Sequence, residues 1–273
     1  MAGVIREIWT RKDLIRELVL KDLKLRYSRP ALGFFWAFIL PLVTVLIFYI
    51  VFSVFLRART QEAPFVLYLM SAVFPWGFFC NSVIAATTSL VENKNLIRES
   101  RFPYYFLVLA VVLANLINFL PSLAVLIVAA GLIQRGLPGG ILLLPLVLLV
   151  QCLITFSLAL IFALFYVKYR DLKYLVEISL TILFNLTPGF YSIYLVKDAL
   201  SPLLFKIYLY NPFTGILIFY RCIILKGFYQ AVGNEFAWLT SAGILFCFCG
   251  AVLIAAFLLY RSRKNSINDY LSY

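Results

Sequence analysis

The sequence predicts an all-α polytopic membrane protein, and three observations predict it. Of its 273 residues 64% are hydrophobic and only 13% charged, whereas soluble domains carry about 45–50% apolar and about 25% charged residues. Six charge-free runs, at 30–56, 63–91, 102–134, 136–167, 178–196 and 236–260, are each long enough or nearly so for one crossing, which takes about 20 apolar residues. The Lys and Arg residues gather in short clusters between those runs, the pattern of loops flanking spans. The net charge of +12 therefore belongs to membrane loops and not to a nucleic-acid surface.

The elements follow in order. Residues 6–27 are too polar to span; Ile8, Ile15, Leu18, Val19 and Leu25 share a helical arc that Arg11, Asp22 and Arg26 interrupt. The stretch reads as an interfacial amphipathic helix within a cytoplasmic segment 1–29, with Pro30 ending it. It has no apolar core flanked by a small-residue cleavage site and does not read as a signal peptide. The transmembrane domain is expected over 30–260. Its first two spans are followed by a charged island, "VENKNLIRESRFP", at 91–103. Burying that island's five charges at about 2.5–3.5 kcal/mol each is prohibitive, so it is a loop in water or against a polar partner. The third and fourth spans meet at "QRGLPGG", a Gly/Pro turn that makes them a hairpin. After the fifth run, 199–227 is apolar yet broken by Pro202, Lys206, Asn211-Pro212, Gly215 and Arg221. Neither half is a convincing crossing, so a re-entrant hairpin is expected. The last run leads into a basic tail, 261–273.

Orientation follows from Lys and Arg. Most of the 24 lie in the N-terminal segment, the island, the 168–173 loop and the tail; the remainder are Arg57, Arg59, Arg135, Lys197, Lys206, Arg221 and Lys226. Both termini and the island are thus expected on the cytoplasmic side of the cell inner membrane.

Chemistry-bearing motifs are sparse. No Gly-x-x-x-x-Gly-Lys-[Ser/Thr] phosphate loop occurs, and within the runs ionisable groups are nearly absent, Glu177 lying near one end of the fifth. Ion-driven carriers usually keep carboxylates or His at mid-membrane. If this chain transports, a partner supplies the energy. An enzyme acting on lipid carriers is disfavoured, because its clustered Asp, Glu or His residues have no counterpart here. The five cysteines lie in or beside apolar runs, where a small hydrophobe is the simplest reading.

Four sets of residues carry candidate roles with a bland alternative beside each. Tyr169, Arg170 and Asp171 in "YRDLK" fit a helix end with a local Arg–Asp pair, or contact with a partner or a headgroup. Lys24 and Arg26 fit membrane anchoring, at about 1 kcal/mol each near anionic lipid, or the same headgroup. Among the many aromatics, Trp9, Tyr27, Trp238 and Tyr260 fit interface belts. Trp36, Phe74, Trp76, Phe78, Tyr191 and Tyr194 fit either packing or the lining of a path that holds cargo loosely enough to release it. The broken segment with Pro202, Asn211, Pro212, Gly215 and Arg221 is a movable outer gate or a static hairpin.

Several motifs in order resemble a known family. "LIRELVLKDLKLRYSRPALGFFWAFILPL" at 14–42, with Arg26-Tyr27, Leu32-Gly33, Trp36 and Leu40-Pro41, is similar to the opening of the permease subunit of ABC-2 type polysaccharide exporters. "FPWGFFCNSV", "KYRDLKYLVEI", "TPGFYSIY" and "NPFTGILIFYR" follow in the family's order over nearly the whole chain; the family's usual Asn before the proline is Leu40 here. The resemblance implies a homodimer of six-span subunits working with two copies of a separate ATPase, which binds the ATP and Mg. The cargo it implies is a polyprenyl-pyrophosphate-linked glycan of O-antigen, capsule or teichoic type, with a drug or small lipid as the alternative. It also implies that 92–101, with Glu92, Lys94, Asn95, Arg98 and Glu99, is a coupling helix docking on the ATPase.

Overall fold

The computed structural model describes residues 7, 9–27, 35–55, 63–99, 103–233 and 236–264. The expected Arg57/Arg59 loop, Arg101, the Leu32-Gly33 pair and the tail beyond Lys264 lie outside the described residues. Regular structure among the described residues is helical throughout: α1 Lys12–Tyr27, α2 Trp36–Phe48 continuing as a π-helix Tyr49–Phe55, α3 Phe65–Glu92 and α4 Lys94–Glu99. There follow α5 Tyr105–Ile133, a 3-10 turn Gly139–Leu143, α6 Leu144–Tyr166, α7 Leu172–Leu186, α8 Ile193–Ala199, α9 Pro202–Leu209, α10 Pro212–Ile224, α11 Phe228–Val232 and α12 Trp238–Arg263.

Among the described residues four helices are long and apolar enough to cross a membrane: Phe65–Glu92, Tyr105–Ile133, Gly139–Tyr166 and Trp238–Arg263. The bent pair α9–α10, turning by 71°, raises that to five if it counts as one span. Two expected spans are not single long α-helices among the described residues. The first appears as a 13-residue α-helix and a 7-residue π-helix. The fifth stops after 15 residues at Leu186, about 22 Å of helix against a hydrocarbon core of about 30 Å. The cause is Pro188: Thr187 before it is extended at φ −100°, ψ 154°, as the residue preceding proline prefers. The 178–196 run is therefore not one continuous helix; the chain breaks over 187–192 and resumes as the 7-residue α8.

Helix starts follow local chemistry. Asn211 caps α10 by accepting from the Phe213 N–H at 3.0 Å, with Pro212 at the first helical position. Ser192 caps α8 through the Tyr194 N–H at 3.2 Å. The Gln134–Gly140 turn needs left-handed backbone at Arg135 (φ 51°) and Gly136 (φ 120°), and Gly136 carries that at no steric cost.

α3 is the hub. It packs against α2, α5, α6, α7 and α10, and 72% of its most apolar window is buried. α12 lies against α6 with only 17% of its window buried, as expected of a helix facing lipid. Gln151 of α6 ties three helices together: its Nε2 donates to the Pro75 carbonyl at 2.8 Å and its Oε1 accepts from Tyr220 Oη at 2.5 Å. Amides serve as such bridges where no water is present.

Charged and aromatic side chains meet at the two ends of the bundle. At one end Tyr105 donates to Glu7 at 2.7 Å, its ring meets Tyr260 at 5.3 Å, and Arg263 sits over the Phe165 ring at 4.3 Å. At the other, Lys226 Nζ donates to the Gln134 and Arg135 carbonyls at 3.1 and 3.3 Å. α1 buries Ile15, Leu18 and Val19 against the core and packs on α5, whereas Leu25 is 69% exposed. Part of its apolar arc thus covers protein; Ile8 lies outside the described residues.

Candidate translocation cavity and charged face

A cavity of about 540 Å³ opens between α2, α3, α5 and the end of α7. Trp36, Leu40, Pro41, Thr44 and Phe48 line it from α2, and Phe74, Trp76, Gly77, Phe78 and Asn81 from α3. Asn115, Asn118, Phe119 and Ser122 line it from α5, and Phe184 from α7. Trp76 stacks on Phe184 at 5.3 Å and Phe78 on Phe119 at 5.3 Å, so the rings hold one another in fixed orientation. Gly77 keeps the wall between them flat: a Cβ there would meet nothing within 4 Å. Trp36, Phe74, Trp76 and Phe78, four of the six aromatics singled out in the sequence, thus share one cavity. Tyr191 and Tyr194 do not join it. They lie at the α7–α8 break, Tyr191 donating to the Asn185 carbonyl at 3.0 Å and Tyr194 to the Ala231 carbonyl.

Of the residues expected in an outer gate, Arg221 centres a second cluster. Arg221 on α10 is fully buried at 0% exposure. Its guanidinium carbon lies 3.5 Å from the centroid of the Tyr68 ring, and Nη2 donates to the Gly189 carbonyl at 2.9 Å and to the Tyr68 carbonyl at 3.4 Å. Tyr68 Oη in turn donates to the Tyr191 carbonyl at 2.8 Å, and Tyr208 of α9 to Tyr191 Oη at 3.2 Å. One cation thereby knits α3, the 187–192 break, α9 and α10. Pro202 opens α9, and Gly215 sits in the first turn of α10 with open space where a Cβ would go.

The charged island is folded. α4 sinks Ile97 into the core at 4% exposure and leaves Glu92, Lys94 and Asn95 exposed. Arg98 and Glu99 end the helix; their side chains lie outside the described residues. Asn93 joins the island to α1: its Nδ2 donates to the Ser89 carbonyl at 2.9 Å and its Oδ1 accepts from Lys21 Nζ at 2.9 Å. Lys24 is exposed on α1, and the Arg26 side chain lies outside the described residues. Arg170 and Asp171 are exposed at the start of α7. Arg170 stacks over the Tyr166 ring at 5.4 Å, and Asp171 offers its carbonyl to the Tyr174 N–H at 3.1 Å.

With this geometry in place, comparison with known proteins identifies the family: the model of the ABC-2 type transporter membrane domain matches residues 13–225. The chain belongs to that family. It is 30% identical over 226 residues to the O-antigen export system permease protein RfbA of Myxococcus xanthus, covering 83% of this chain and 85% of that protein. It is 28% identical over 218 residues to the protein of the same name from Klebsiella pneumoniae, covering 79% and 81%. This ABC-2 chain is accordingly a multi-pass membrane transport protein. The matched segment contains the cavity, the Arg221 cluster and the island, and ends before α12.

The residues missed by reading the sequence are the amides. Asn81, Asn115 and Asn118 lie within charge-free runs, where charge and hydropathy do not distinguish them from their packed neighbours. The signal was present: Asn115 and Asn118 are three apart, one face of a helix, and a polar side chain inside a spanning run marks a cavity or a contact.

Proposed function

We propose that this chain is the membrane subunit of an ATP-driven exporter that moves lipid-linked, O-antigen-like polysaccharide across the cell inner membrane. The observation that carries the reading is its likeness, over about four-fifths of both chains, to proteins named O-antigen export permeases. The cavity supports it: aromatic faces and neutral amides suit sugar rings, and weak contacts along a wall suit a cargo that must keep moving. The transport stroke comes from a separate ATPase in two copies, binding ATP and Mg, and the permease works as a homodimer.

In this reading the chain crosses six times, with the α2–π-helix run and α7 as the two shorter crossings and α9–α10 as a re-entrant outer hairpin. Both termini are cytoplasmic. Glu92, Lys94, Asn95, Arg98 and Glu99 form the ATPase-docking face. Lys24, Arg26, Arg170 and Asp171 hold the helix ends at the headgroups, where the carrier's pyrophosphate also arrives. Trp36, Phe74, Trp76 and Phe78 line the path, with Tyr191 and Tyr194 at its outer end, and Pro202, Asn211, Pro212, Gly215 and Arg221 form the outer gate.

The test is a strain lacking the gene. Lipid-linked glycan should accumulate on the inner face and disappear from the surface, and the wild-type gene should restore both. A null strain with normal surface glycan and no internal accumulation overturns the reading.

A further inference from the structure

We propose that the cavity between α2, α3 and α5 is a binding subsite for neutral, hydroxyl-bearing rings, and that Asn81 is the side chain that reads their hydroxyls. The proposal deepens the glycan-export reading and rests on it. Asn81 projects from the middle of α3 and is exposed at the cavity wall. Among the described residues it makes no hydrogen bond to another protein group. Asn115, across the cavity, is held differently, its Nδ2 tied back to the Val111 carbonyl at 2.9 Å.

A carboxamide offers two donors and an acceptor, and leaving it unpaired in apolar surroundings costs about 1–3 kcal/mol. Asn81 lies among rings on a helix surrounded by apolar sequence, so its partner is water in the resting cavity and a polar ligand in the loaded one. An alkyl chain filling this space would strip the amide and replace nothing. Among the described residues no ionised side chain lines the cavity, so an anionic headgroup finds no counter-charge from them. The fitting ligand is therefore neutral, polar at its edge and flat on its face. The ring of Trp36, 40% exposed on the same lining, supplies the platform. The volume, about 540 Å³, lies within the range of about 300–1,000 Å³ usual for small-ligand sites.

The experiment uses the full chain with its ATPase partner, in cells making the glycan, and compares Asn81→Leu with Asn81→Gln. Surface glycan, internal lipid-linked glycan, membrane level of the chain and its chemical cross-linking to itself are read together. Asn81→Leu should lower surface glycan about tenfold, the loss of one good hydrogen bond, with membrane level and cross-linking unchanged. Asn81→Gln should recover most of the export. Wild-type export by Asn81→Leu overturns the subsite and leaves the glycan-export reading intact, whereas failure of that reading shows in the null strain. Loss of cross-linking together with export overturns it too, by making Asn81 a contact between subunits. In a background with the five native cysteines replaced, Asn81→Cys should react with a water-soluble maleimide and be protected when glycan is loaded but the ATPase is disabled. Equal labelling with and without glycan refutes the assignment.

Discussion

On α10 a guanidinium sits fully buried with a phenol ring on its face and two main-chain carbonyls at its edge. A planar, delocalised cation with a fixed fork of donors fits that setting; an ammonium on a flexible stem does not. Cation–π contact of a desolvated pair is worth about 2 kcal/mol, and each hydrogen bond from a charged donor about 1.5–3 kcal/mol. Arg221→Met should therefore lower the thermal stability of the purified protein by about 2 kcal/mol or more, and Arg221→Lys should recover only part of it. Equal stability of Arg221→Lys and wild type would mean that charge alone suffices. The sequence allows Arg221 to be placed in the broken outer segment, but not its burial. The partners that make burial tolerable, Tyr68 and Gly189, are 153 and 32 residues away. The same holds for Gln151, whose partners Pro75 and Tyr220 lie 76 and 69 residues off. Local pattern reveals which side chains are unusual; only the fold reveals what satisfies them.

Among the elements, α1 and the island are the pair whose relation the chain's linear order hides. Each is legible alone: α1 by its mixed charges and helical arc, the island by the cost of burying it. The structure adds the pin between them, Lys21 to Asn93, and the apolar contacts of Ile15, Leu18, Val19 and Ile97 beneath it. If the island docks an ATPase as proposed, a push on α4 is shared with α1 and passed to α5, on which α1 lies. An exposed hydrogen bond of this kind contributes about 0.5–1.5 kcal/mol, too little to hold the fold but enough to bias a coupled motion. Lys21→Ala and Asn93→Ala should each insert normally and retain ATP hydrolysis while lowering glycan exported per ATP, and the double variant should lose no more than either alone. Additive losses would show that the two residues act separately. The interrupted fifth run shows the limit of reading by charge. A 19-residue window without charge invites one crossing, yet Thr187-Pro188 imposes extended backbone in its midst, and proline position outweighs hydropathy there.

For the molecule as a whole, the charge clusters and the folded ends agree without either having been derived from the other. Glu7, Tyr105, Phe165, Tyr260 and Arg263 converge at the end that carries the island. Gln134, Arg135 and Lys226 converge at the opposite end. A helix bundle that separates basic clusters this way has one comfortable orientation, because Lys and Arg in short loops resist translocation. Lys94 on the island and Arg135 in the hairpin turn are both exposed, so single cysteines there report the two faces directly. In a background free of the native cysteines, a membrane-impermeant maleimide should label Arg135→Cys in intact cells or spheroplasts and leave Lys94→Cys unlabelled until the membrane is opened. The reverse pattern would invert the topology and put the island out of reach of any cytoplasmic ATPase. Labelling of both from outside would leave an even number of crossings between them, against the single crossing that the 29-residue α5 should provide. The expectation rests on spacing and charge together: one long helix separates the two positions, which puts them on opposite faces if it spans, and the charge rule then selects the face inside.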